Sequence, residues 1–171
     1  MEQASRLAGR YYPMHCRCHC ECGQYNPFRR WRCGWRDRAA DSELVAVCRK
    51  LHGCETGEAK ITPGFKLPAQ FIIHTVGPIY ARHPQKEAEL LRNCYKNCLA
   101  ITSKHDIYSI SFLATSCGVY GYPAEEVAHI AITTVMAKLP NYTQLEKIIF
   151  VVFSDRSEEI YRNHIYLLEK T

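Results

Sequence analysis

Three short apolar runs, at residues 71–76, 107–114 and 147–153, are bounded by turn-forming residues and separated by stretches whose apolar positions recur at helical spacing. A strand covered on both sides reads as a continuous apolar run because neither face meets water. Such strands alternating with helices predict an α/β domain whose sheet carries helices on both faces. Leu44, Val47, Cys48 and Leu51 mark a first helix, with Asp41 or Ser42 available as its cap and Gly53 as its stop. A strand is expected at 59–62, a turn at Pro63-Gly64 and a closing helix at 157–170. Leu91, Cys94, Tyr95, Cys98 and Ile101 share one face of a helix across 85–103, and Val127, Ile130, Ala131, Val135 and Leu139 mark another.

The chain has 171 residues, enough for one ordinary domain. With 47% hydrophobic and 23% charged residues it is neither fibrous nor wholly disordered. No apolar run approaches the roughly 20 residues of a membrane span, and Met1-Glu2-Gln3-Ala4-Ser5 opens no signal-peptide stretch. We therefore expect a cytoplasmic protein without membrane contact, a monomer, in which a disulfide framework is not expected. Cys48, Cys94 and Cys98 read as small core residues, and His74 as a hydrogen-bonded core histidine.

Residues 10–38 break the pattern. Arg10, Arg17, Arg29, Arg30, Arg32, Arg36 and Arg38 face only Glu21 and Asp37, so the chain's formal charge of +5 resides in this segment. It also holds Cys16, Cys18, Cys20, Cys22, Cys33 and both tryptophans, Trp31 and Trp35. Such a composition does not predict a buried strand.

From about residue 41 to the C-terminus the chain resembles the macro domain family, specifically its ADP-ribosyl hydrolase and O-acetyl-ADP-ribose deacetylase branch. Three motifs carry the resemblance: Gly53-Cys54-Glu55-Thr56-Gly57-Glu58-Ala59-Lys60-Ile61-Thr62, Ile73-His74-Thr75-Val76-Gly77-Pro78, and Ser111-Phe112-Leu113-Ala114-Thr115-Ser116-Cys117-Gly118-Val119-Tyr120-Gly121-Tyr122-Pro123. The resemblance implies a three-layer α/β/α domain over residues 1–171 with a mixed central sheet, its recognisable core at 41–171 and an aberrant segment at 10–38. The third motif also has a direct physical reading. Glycines after a strand let successive N–H groups face one point ahead of a helix that Pro123 would open, which suits a diphosphate. By resemblance Ser116, Cys117, Gly118, Val119 and Tyr120 wrap the diphosphate and ribose of ADP-ribose, and Phe153 stacks on adenine. Leu113 replaces the family's usual proline, and Thr115-Ser116-Cys117 replaces Ile-Ser-Thr. The ligands implied are ADP-ribose, ADP-ribosylated protein or nucleic acid, and O-acetyl-ADP-ribose, with no cofactor and no metal.

The family's first third, a Gly-Asp-Ile start, a strand ending Asn-Ala-Ala-Asn and a loop GGGGVDGAIH, is missing as written: Gly9-Arg10-Tyr11 stands at the first of these. It reappears one base out of register. Arg29-Arg30-Trp31-Arg32-Cys33-Gly34-Trp35-Arg36 can be encoded CGG CGG TGG CGG TGT GGA TGG CGC, which one base later reads GGC GGT GGC GGT GTG GAT GGC, or Gly-Gly-Gly-Gly-Val-Asp-Gly. The stretch from Arg10 to Asp37 yields DITQCTVDAIVNAANTTLFGGGGVDGAI in the same way. Each shifted codon has its first and third bases nearly set by the observed residues, so agreement over this length argues for a frameshifted segment. The strand and the first binding loop are then expected to be disrupted. The family's catalytic asparagine and aspartate belong to the lost loop, so no catalytic residue is assigned and activity is expected to be impaired.

Two other classes compete. One is an ADP-ribose binding module without catalysis. The other is a metal or nucleic-acid module built on residues 10–38, since Cys16, Cys18, Cys20, Cys22, His15 and His19 are zinc-type donors and the Arg/Trp block combines charge with stacking rings. Structural zinc pairs usually leave two to four residues between ligands, which this strict alternation does not.

Overall fold

The computed structural model describes residues 7–8, 18–22, 24–26, 29–32, 42–66, 69–82, 85–117 and 120–170, those before residue 42 by their backbone. Six strands form one mixed sheet, in the order β1 (Leu7–Ala8), β8 (Lys147–Val151), β7 (Ser109–Leu113), β2 (Cys18–Cys22), β6 (Phe71–Thr75) and β5 (Ala59–Pro63). Neighbours run parallel except β5, which is antiparallel to β6. A separate two-stranded ribbon pairs β3 (Gln24–Asn26) with β4 (Arg29–Arg32).

Side chains on successive strand residues point to opposite faces, and the core divides accordingly. Ile73, Ile110, Phe112, Ile148 and Phe150 join α2 (Glu87–Lys104), α3 (Ala124–Lys138) and α4 (Asp155–Glu169) in the main core. Their sequence neighbours turn the other way: Ile72 packs with Leu44 and Cys48 of α1 (Ser42–Lys50), and Ile149 and Val151 pack with Leu113. Cys94 and Cys98 are buried on α2, and Cys48 on α1, as their spacing predicts. A chain of rings, Tyr95 to Phe112 at 5.3 Å, Phe112 to Phe150 at 5.8 Å and Phe150 to Tyr161 at 5.4 Å, joins α2 to α4 through two strands.

Most sequence-predicted elements lie within a few residues of their expected bounds. Pro123 differs: it is the N-cap of α3, its carbonyl accepting the first helical bond from the Val127 N–H at 3.0 Å, and the helix begins at Ala124. α1 begins at Ser42, while Asp41 lies outside the described residues. The larger difference is β2. Composition excludes a buried strand from residues 10–38, yet the backbone of Cys18–Cys22 runs between β6 and β7 at the middle of the sheet. The reason is that β6 and β7 each present a ladder of N–H and C=O groups to the space between them, and any non-proline backbone can answer both. The metal and nucleic-acid readings of residues 10–38 rest on side chains outside the described residues.

Candidate functional site

The carboxyl ends of β7 and β8 lie side by side, with Leu113 opposite Val151 and the Ala114 N–H donating to the Val151 carbonyl at 3.1 Å. Ligands of open α/β sheets bind beyond the carboxyl ends of strands, where loops replace the ladder. Both predicted site segments leave the sheet here: Ser116 and Cys117 after β7, and Phe153 after β8.

Ser116 is 5% exposed and adopts φ 65°, a left-handed conformation that serine rarely takes. Its carbonyl accepts from the Tyr122 N–H at 3.1 Å, which closes the loop. Its hydroxyl is buried with no hydrogen-bond partner among the described residues. Backbone strain and an unsatisfied hydroxyl each cost on the order of 1 kcal/mol or more, and a ligand oxygen reaching into the loop would satisfy the second. Gly121, at φ 65° with open space around its Cα, supplies the other left-handed residue. Cys117 is half-buried against the main core. Gly118 and Val119 lie outside the described residues. Glu125 and Glu126 occupy the first turn of α3 and offset its dipole, which weakens the helix N-terminus as an anion site.

Tyr120 ties this loop to the turn after β6. Its carbonyl accepts from the Tyr80 N–H at 3.0 Å, and the Tyr80 and Tyr122 rings stand 5.0 Å apart. Burial, then Glu126 and Glu87, raise the Tyr122 hydroxyl above its ordinary pKa, so it stays protonated. Beneath Tyr120 opens a cavity of ≈ 350 Å³, within the range of small-molecule sites. Its walls are His52, the Gly53–Thr56 turn, Val76, Gly77, Ile79 and Arg82. The three motifs quoted from the sequence thus meet at one cavity: the first through Gly53, Cys54, Glu55 and Thr56, the second through Val76 and Gly77, the third through Tyr120.

The Gly53–Thr56 turn is held from below. Lys60 Nζ on β5 donates to the Leu51 carbonyl at 2.9 Å and the Gly53 carbonyl at 2.6 Å, gathering the C-terminal end of α1 and the turn onto one cation. Burial, then the Glu58 carboxylate, push the Cys54 thiol up to about 11, which keeps it protonated at neutral pH. His74 is 3% exposed, and burial lowers it to about 4; it belongs to the core, as its sequence context predicts.

Phe153 is 74% exposed at the end of β8, an aromatic face presented to solvent where the resemblance expects an adenine platform. Among the described residues it does not border the cavity, and of the predicted ligand-loop residues described there, Tyr120 does. Sequence reasoning did not find Arg82, which lies in a turn without a motif, nor Lys60 as the anchor of the first motif. Among the described residues no group of three or more metal-ligating side chains gathers, and no helix is long and apolar enough to cross a membrane.

A family model described as Macro domain matches residues 37–131. A macro domain-containing protein of Chlorobaculum tepidum is 50% identical over 125 residues, which cover 73% of this chain and 73% of that one. Human ADP-ribose glycohydrolase MACROD2 is 45% identical over 127 residues, covering 73% of this chain and 30% of the human protein. Among solved structures, the Oceanobacillus iheyensis macrodomain with ADP superposes with a TM-score of 0.79 at 36% identity, covering 92% of this chain and 87% of that one.

Proposed function

This chain belongs to the macro domain family, and on that premise we propose that it binds ADP-ribose, by descent from an ADP-ribosyl or O-acetyl-ADP-ribose hydrolase, with catalysis impaired in the polypeptide as written. The observation that carries the reading is the convergence of three motifs on the cavity under Tyr120, beside a loop with an unsatisfied Ser116 hydroxyl. In this reading Ser116, Cys117, Gly118, Val119 and Tyr120 hold the diphosphate and distal ribose, and Phe153 stacks on adenine. The partners are ADP-ribosylated protein or nucleic acid, met by a cytoplasmic monomer. The names of neighbours support the ligand: one is an ADP-ribose glycohydrolase and another was solved with ADP.

Hydrolysis of an ADP-ribosyl bond needs a water held against the distal ribose and groups that meet developing charge. The family supplies these from the loop that residues 10–38 should encode. The family model begins its match at residue 37, where the proposed frameshift ends. The out-of-frame reading restores the missing loop residue by residue, so the polypeptide is read as a binding half-site whose catalytic half is encoded one base away. Calorimetric titration with ADP-ribose tests the binding claim: a saturable 1:1 isotherm supports it, and no heat at millimolar ligand contradicts it. The nucleotide sequence of codons 9 to 38 tests the frame, and codons that do not spell GGGGVDGAI one base on would end that part of the account.

A further inference from the structure

α3 and α4 pack together and bring into contact two histidines far apart in sequence. His129, exposed on α3, and His164, half-buried on α4, have ring centroids 5.8 Å apart and planes inclined at 62°. His164 Nδ1 lies 2.8 Å from the Ile160 carbonyl one turn back. A carbonyl oxygen only accepts, so Nδ1 carries the proton, and in the neutral ring the lone pair is on Nε2. This is the arrangement that orients histidines for metals: one nitrogen donates to the backbone and the other is left to coordinate. The His129 ring contacts His164 and makes no hydrogen bond among the described residues. The supporting helices are anchored, because Val127, Ala128, Ile130, Ala131 and Tyr161 are all in the main core.

We propose that His129 and His164 form a two-imidazole site for a divalent first-row ion such as Zn²⁺ or Ni²⁺, clamping α4 to α3. Imidazole nitrogens suit these ions. No third protein donor stands with the pair among the described residues, so water completes the coordination and the ion exchanges, unlike a closed structural zinc. The site is independent of the ADP-ribose reading. Its consequence is mechanical: α4 starts directly after Phe153 and Ser154, so an ion here stiffens the element that follows β8.

The test is Ni²⁺ titration of the full, reduced chain at pH 7.5 beside His129→Ala and His164→Ala, with binding stoichiometry and Tm as readouts. The intact chain is expected to bind one equivalent more than either variant, and its Tm to rise by about 3 °C or more at a tenfold excess of ion over its Kd. Neither variant gains that increment. Thiolates of residues 16–22 contribute equally to all three proteins and cancel. As a second readout, Ni²⁺ should broaden the ring proton signals of His129 and His164 together in the intact chain. Equal stoichiometry and equal Tm shifts in the three proteins, or ring signals untouched by the ion, would overturn the proposal.

Discussion

Thr62 Oγ1 and His74 Nε2 stand 2.9 Å apart inside the antiparallel β5–β6 pair, with Cys48 Sγ of α1 3.9 Å from the same nitrogen. Thr62 pairs with Ile72 and His74 with Lys60, so the contact is a diagonal one across the strands. A histidine held this way, with its pKa lowered to about 4, is neutral in the folded protein.

Acid should therefore loosen the domain well before its carboxylates titrate. The unfolded chain takes up a proton on this residue near pH 6.5, while the folded chain resists until about 4. The unfolded state binds more protons throughout that window, so stability is full above it and falls as pH drops through it, by up to about 1.4 kcal/mol per pH unit and about 3 kcal/mol in total. Melting curves between pH 8 and 4.5 check this, and His74→Gln should flatten the slope. An unchanged slope in the variant would move the effect to other histidines.

Lys60→Met should destabilise the domain by about 2 kcal/mol, because the Leu51 and Gly53 carbonyls lose a charged donor. The same substitution should weaken ADP-ribose binding, since the Gly53–Thr56 turn walls the cavity. Urea denaturation gives the first number and calorimetry the second.

Phe153→Ala should leave Tm within about 1 °C, since the ring is mostly in water. If the ring stacks on adenine, affinity for ADP-ribose should fall about tenfold or more, in line with roughly 1–3 kcal/mol for a base stacked on an aromatic side chain. Unchanged affinity would remove Phe153 from the site.

The strands and helices from residue 42 onward were legible because their side chains meet the periodicities that burial imposes, as Ile72 and Ile73 do by packing on opposite faces. His74 and the helix cysteines were legible for the same reason. The cavity was only half visible. Its motifs could be quoted, but their meeting under Tyr120 depends on the Tyr80–Tyr120 backbone bond, which leaves no mark on residue type. Cys18–Cys22 was not legible as a central strand, because ladder pairing is a property of the backbone while these residue types lack the continuous apolar run that a strand covered on both faces shows. The His129–His164 contact was invisible for a further reason: it exists only where two helices pack.

Restoring the neighbouring frame should repair the middle of the sheet. With DITQCTVDAIVNAANTTLFGGGGVDGAI in place of residues 10–37, the strand whose backbone runs between β6 and β7 reads Ala-Ile-Val-Asn-Ala in place of Cys18-His19-Cys20-Glu21-Cys22. A single buried charge or unsatisfied polar group costs on the order of 1–3 kcal/mol against a total of roughly 5–15 kcal/mol, so the restored chain should melt at a clearly higher temperature and more cooperatively. Differential scanning calorimetry of the two chains makes the comparison.

The central claim is that this chain retains one side of an ADP-ribose site and has lost the other to a shifted reading frame. Its most direct test is the ADP-ribose Kd of the chain as written, measured beside that of the frame-restored chain. The account predicts weak saturable binding that tightens at least about tenfold on restoration, the equivalent of one or more regained charge-assisted hydrogen bonds. Equal affinities, or tighter binding by the chain as written, would contradict it.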